Sequence, residues 1–195
     1  MFQDNAFQPS SGAEACVLSA KASRYQVPQT TLTVARASCQ DLSDIHDLEK
    51  EVEGPGAASR ETLTQRLQMF RNGFLVAKSG DRVAGYLQST LWRERSFQRF
   101  SEICDFPRWH TRDGQELYLI FLAVSRTYRS NGLASHLLTC LDELGHAYGV
   151  RRITLVAKKH LIPLYEKNGF QGVDFLPDFL PTENCPPVLM HKPLD

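Results

Sequence analysis

The stretch ELYLIFLAV, residues 116–124, constrains the fold more than any other feature of the chain. It is almost unbroken apolar sequence, and a strand with two apolar faces belongs in the middle of a sheet with cover on both sides. After it come RSNGLA at 129–134 and then Leu133, Leu137, Leu138, Leu141, Leu144 and Tyr148 on one helical face, with Gly149 as a stop. RRITLVA at 151–157 reads as the next strand. Together these segments make a β-α-β unit.

Upstream, TLTVARA from Thr31 alternates like a strand. SCQDLSDIHDLEKEV opens with a helix-cap signal and spaces Leu42, Ile45, Leu48 and Val52 as a helix does. GPGA at 54–57 breaks the pattern, and Leu63, Leu67 and Phe70 mark a second helix after Ser59. Residues 73–92 read as a hairpin turning at Ser79-Gly80-Asp81. A long connection at 93–115 holds Phe97, Phe100, Phe106 and Trp109, and a connection of that length is usually functional or partly helical. HLIPLYEKNG reads as a short helix ended by Gly169, with FQGVDF and PVLMHKPL as closing strands.

The order β-α-α-β-β-β-α-β-α-β-β predicts an α/β (α+β) fold, a mixed sheet flanked by about four helices. Residues 31–195 are expected to form one domain. Residues 1–30, rich in Ser, Gln, Ala and Pro, are expected to be a partly ordered extension.

Lys plus Arg and Asp plus Glu number 22 each, and this balance argues against nucleic acid or a membrane surface as partner. No apolar run approaches the roughly 20 residues that span a bilayer. The start MFQDNAFQPSSG has no secretory pattern, so a cytoplasmic location is expected. The five cysteines are odd in number and lack C-x-x-C spacing, which suggests neither a disulfide framework nor a metal site.

RSNGLA lies where a buried strand hands over to an amphipathic helix. A helix N-terminus offers unpaired N–H groups and a partial positive charge, which attract anions. Gly132 permits close backbone approach, Ala134 keeps the next turn clear and Arg129 adds charge, as a phosphate or pyrophosphate cradle requires. It is neither a P-loop nor a Rossmann fingerprint.

The pattern Arg129-x-x-Gly132-x-Ala134 resembles the coenzyme A motif Q/R-x-x-G-x-G/A of the GNAT (Gcn5-related N-acetyltransferase) superfamily. LYEKNGF at 164–170 resembles that family's late signature, with the helix and strand between the two motifs that the family also has. HLIPLYE is similar to the Leu-x-Pro-x-Tyr-Glu of arylalkylamine N-acetyltransferases, and STLW with the approach through His110 and Gly114 adds to the likeness.

The resemblance implies a GNAT fold with a mostly antiparallel sheet, in which the strands at 116–124 and 151–157 splay apart to admit the acyl-pantetheine arm of acetyl-CoA. It implies that the backbone at Leu122, Ala123 and Val124 holds the pantetheine. The N–H groups of Arg129, Ser130, Asn131, Gly132, Leu133 and Ala134 would hold the pyrophosphate. Tyr165 becomes the candidate acid that protonates the departing thiolate. Glu116 and Tyr118 are the candidates for assisting loss of the amine proton. The arylalkylamine type carries His at the positions of Tyr118 and Ile120, the histone type carries Glu at that of Tyr118, and many members carry Asn where Lys158 stands. The implied activity is acetyl-CoA-dependent acetylation of a small primary amine. Two other readings stand beside it. One is decarboxylation or S-acyl transfer in polyketide loading, with His160 near the thioester and a carrier protein as partner. The other is a non-catalytic acyl-CoA-binding module.

Overall fold

A computed structural model describes residues 23–27, 30–93, 109–176 and 186–194. Among these lie β1 (Ser23–Val27), β2 (Thr30–Arg36), α1 (Leu42–Glu53), α2 (Arg60–Met69), β3 (Phe74–Ser79) and β4 (Arg82–Trp92). They continue with β5 (Glu116–Val124), α3 (Leu133–Tyr148), β6 (Arg152–Ala157), α4 (Ile162–Lys167), β7 (Gln171–Phe175) and β8 (Val188–Pro193). Phe97, Phe100 and Phe106 of the long connection, and residues 1–22, lie outside the described residues.

The eight strands form one sheet in the order β1-β2-β3-β4-β5-β6-β8-β7. Every neighbouring pair is antiparallel except β5 and β6, whose parallel pairing needs the crossover that α3 supplies. The fold is the mixed, mostly antiparallel sheet with four helices that the sequence predicts. Strand β1 is an addition to that expectation: SRYQV pairs with β2 from Ser23↔Val34 to Val27↔Thr30, inside the stretch read as an extension.

Local chemistry sets the boundaries. Ser38 opens the approach to α1, where its N–H and Oγ both donate to Asp41 Oδ2 at 2.8 Å. Ser59 caps α2 by accepting the Thr62 N–H at 3.2 Å. The β3–β4 hairpin turns at Gly80, whose φ of +59° suits glycine.

The helices divide between the two faces. Ile45 and Leu48 of α1 and Leu63 and Leu67 of α2 pack with Phe74, Val76, Tyr86 and Ala123 on one face. The α3 leucines, with Tyr165 and Phe170 at α4, cover Leu87, Leu117, Leu119, Ile153, Leu155 and Met190 on the other. Leu137 and Leu141 are fully buried, and truncating either to alanine costs about 2–5 kcal/mol.

Two irregularities in β5 shape the centre of the sheet. Against β4 the register runs Gln88↔Phe121 and then Ser89↔Leu119, so Ile120 is an extra, bulged residue. Alternation is thereby reset: Leu117 and Leu119 share the α3 face with Leu122 and Val124, while Phe121 and Ala123 face α1. On the β6 side, pairing runs only from Glu116↔Arg152 to Leu119↔Leu155. A bulge bends its strand, and the two strands part where this one begins.

Candidate active site

Beyond Leu119 and Leu155, β5 and β6 diverge, and among the described residues the edges they turn toward each other carry no ladder partner. Leu122, Ala123 and Val124 form the end of the β5 arm. Ladderless backbone edges can receive an extended, amide-bearing chain.

At the top of this gap sits the start of α3. Gly85 of β4 makes the seat: a Cβ there would lie 2.9 Å from Ala123 O and 3.3 Å from a Leu133 methyl. Only glycine lets the first helical residue settle this close to the end of β5. The loop reaches the helix through two left-handed residues, Ser130 at φ +62° and the N-cap Gly132 at φ +81°. A serine in that region is uncommon, and such strain concentrates at functional loops.

The first bond into the helix is from the His136 N–H to Gly132 O at 3.0 Å. The N–H groups of Leu133, Ala134 and Ser135 precede it in the ladder, and they concentrate the positive end of a helix of 16 residues beside the gap. Arg129 turns back onto the β5 arm, its Nε donating to Val124 O at 3.0 Å. The residues fit a phosphate-bearing ligand with a long neutral arm: donors at the helix end, open strand edges below them.

Tyr165 lies in α4 on the same side of the sheet as α3. It is buried among the α3 leucines and meets Phe170 edge-on at 5.7 Å. Burial pushes its hydroxyl up to about 12, so the phenol stays protonated through neutral pH. Asn168 ends this helix, donating from Nδ2 to Leu164 O at 2.7 Å and to Ser135 Oγ at 3.0 Å. The structure therefore brings together Leu122–Val124, Arg129–Ala134 and the helix that carries Tyr165.

It sets Glu116 apart. This residue is four positions before Ile120, about 13 Å along an extended strand. Its buried carboxylate is ion-paired with Arg152 and accepts from Thr154 Oγ1 at 3.0 Å and Trp92 Nε1 at 3.4 Å. A cavity of about 510 Å³ opens at this end, lined by Arg93, Asp113, Gln115, Glu116, Arg151 and Arg152. The contacts of Glu116 join β5 to β6 at this end of the sheet, through Arg152 and Thr154 of β6. His160 is exposed on the turn Lys159–Leu161, which follows the β6 arm.

Tyr118 stays in the picture. Its buried ring lies 4.1 Å from that of Trp92, centroid to centroid. Trp109, Ile120, Val156 and Leu176 pack around the pair as partly buried neighbours. This aromatic floor occupies the sheet face opposite α3, beside the gap. Nearby, His110 Nδ1 lies 3.0 Å from the buried Thr90 Oγ1, and the His110 ring lies 5.1 Å from that of Phe70. Burial first, then the Arg112 charge, hold the imidazole below its ordinary pKa.

Sequence reasoning missed Gly85, Trp92 and the Asn168–Ser135 contact. A glycine inside a strand pattern is a signal of close backbone approach and marks Gly85; the other two depend on long-range packing.

Comparison with known proteins bears on this geometry. The acetyltransferase (GNAT) family matches residues 39–170. Serotonin N-acetyltransferase of Mesocricetus auratus is 37% identical over 94 residues, which are 47% of this chain and 42% of that protein. The aligned stretch thus spans less than half the length of this relative. Among solved structures, the loading GNATL domain of CurA from Lyngbya majuscula superposes with a TM-score of 0.74 at 16% identity, over 84% of this chain and 98% of that one. The GphF GNAT-like decarboxylase in complex with isobutyryl-CoA gives 0.68 at 18% identity, over 83% and 99%. At these identities the likeness is one of fold.

Proposed function

Since the chain belongs to the acetyltransferase (GNAT) family, we propose that it carries an acetyl group from acetyl-CoA to the primary amine of a small acceptor with an apolar, flat body. The observation that carries this reading is the interrupted β5–β6 ladder with the start of α3 above it.

In this reading the N–H groups from Arg129 to Ala134 bind the pyrophosphate of the donor, and the α3 dipole adds to their pull. The edges of β5 at Leu122–Val124 and of β6 orient the pantetheine arm by backbone hydrogen bonds. Acetyl-CoA, when bound, supplies the thioester whose carbonyl carbon the amine attacks. The protein's contribution is proximity and orientation. The C–N bond forms, the C–S bond breaks, the amine proton passes to water and the thiolate departs. Tyr165, kept protonated by its burial, donates to the thiolate as its charge develops.

The acceptor is assigned to the face that carries Trp92, Tyr118, Trp109 and Ile120. An aromatic floor with apolar walls favours a flat, apolar body. Tyr118 brings a hydroxyl to this floor, a group that can accept from the amine or its water, as an indole N–H cannot. A release assay for free thiol, run with acetyl-CoA against aromatic, aliphatic and polar amines, tests the reading. Thiol release that requires an amine, fastest with the aromatic ones, is expected. Release of CO₂ from malonyl-CoA with no amine-dependent thiol would replace it with the decarboxylase reading.

A further inference from the structure

Helix α1 ends beside the gap, and its last turn carries a carboxylate for each arm. Glu51 Oε1 accepts the Arg126 N–H at 3.2 Å and lies 3.5 Å from Arg126 Nε, just past the end of β5. Glu53 Oε2 lies 3.2 Å from Nζ of Lys158, the first residue after β6.

These contacts are unequal in what they connect. Helix α1 is already fixed to the β4–β5 body. Ile45 and Leu48 pack with Tyr86 and Ala123, and Glu49 accepts from Tyr86 Oη at 2.7 Å and from the Ala58 N–H at 2.9 Å. Glu51 therefore ties α1 to the arm it already rests on. Glu53 reaches across and ties that body to the other arm. On the opposite face α3 packs against both arms, through Leu119 and Leu122 of one and Leu155 and Ala157 of the other. The gap is thus spanned by apolar packing on one face and by an ion pair on the other. Both side chains of the pair are about two-thirds covered, at 33% exposure for Lys158 and 28% for Glu53, so solvent screens it less than a free surface pair.

We infer that Glu53 and Lys158 are positioning residues for the acyl donor: their ion pair holds the β6 arm at a fixed distance from the β5 arm before the donor binds. The inference rests on reading the gap as the donor channel. A gap set in advance spares the donor the cost of ordering it, and that saving appears in affinity.

The test is calorimetric titration of the full chain with coenzyme A. Glu53→Gln and Lys158→Met are each expected to raise Kd three- to tenfold. The charge-swapped double variant, Glu53→Lys with Lys158→Glu, is expected to return to within twofold of the wild type. Raising the salt concentration should weaken binding more in the wild type than in Lys158→Met. Thermal unfolding of each variant identifies any loss of folded protein, which a swap that restores Kd excludes as the cause. Unchanged Kd in both single variants overturns the inference. So does tighter binding in Glu53→Gln with no rescue by the swap, because Lys158 would then be acting on the donor directly. Failure of the wild type to bind coenzyme A overturns the donor-channel reading itself, whatever the pair does.

Discussion

Asn168 Nδ2 donates to Ser135 Oγ at 3.0 Å, and this contact joins the end of the helix that bears Tyr165 to the first turn of α3. The same amide also holds Leu164 O. The group assigned to the departing thiolate and the N–H groups assigned to the pyrophosphate are thereby kept in register. Replacing Asn168 by Ala should cost about 1 kcal/mol of stability through the lost bonds. It should lower kcat more than it raises the Kd for coenzyme A. Thermal unfolding and titration of the same preparation separate the two effects.

Tyr165→Phe removes only the hydroxyl from a buried ring. Its packing on Phe170 survives, so binding of acetyl-CoA should change less than twofold. Turnover should fall by about 10²-fold, the lower range for loss of an acid–base group. Turnover equal to the wild type under saturating acetyl-CoA would remove Tyr165 from the chemistry.

At Gly132 the backbone stands at φ +81°. Alanine there is strained by roughly 1–2 kcal/mol. The strain is relieved by moving the first turn of α3, so Gly132→Ala should weaken coenzyme A binding at least tenfold while the helix itself remains. Calorimetry reads the first effect and far-ultraviolet circular dichroism the second.

Glu116→Gln breaks the charge pairing with Arg152 and leaves the guanidinium facing a neutral amide. Stability should drop by about 2–3 kcal/mol, measured by urea unfolding. The kcat of the folded fraction should stay within twofold of the wild type. A large fall in kcat with unchanged stability would assign Glu116 the catalytic role that the family resemblance implies.

The contrast between Glu116 and Ile120 shows where sequence reading reaches its limit. ELYLIFLAV is legible as a buried central strand, and the leucine stripe of α3 and the glycine at its entrance are legible as well, because each is local chemistry. The bulge at Ile120 is not, since it is defined by the register of Gln88 and Ser89 on β4. The burial of Glu116 is set by Arg152 and Thr154, which the parallel pairing with β6 brings to it. The Glu53–Lys158 tie joins residues too distant in sequence for any periodicity to link. Strand β1 is short and sits on the sheet edge, so it offers too little alternation to read.

His110 gives the fold a pH dependence of known sign. Its folded pKa lies below the ordinary value of 6.5 because burial disfavours the imidazolium. His136 is shifted the same way, also by burial first. As the pH falls through 6.5 the unfolded chain takes up protons that the folded chain refuses, so stability present above that pH is lost on acidification. His110→Gln should flatten the dependence between pH 7.5 and 5.5. Thermal unfolding of variant and wild type across that range gives the comparison.

The central claim is that the gap beyond Leu119 and Leu155 receives the acyl donor. Backbone amide NMR of the full chain, titrated with acetyl-CoA, tests it most directly. The account expects the largest shifts at Ile120–Val124 on β5 and at Leu133–Ser135 at the start of α3, with little change at Glu116 and Arg152. Shifts centred on the cavity around Arg93, Arg151 and Arg152, with the β5 arm and α3 undisturbed, would contradict it.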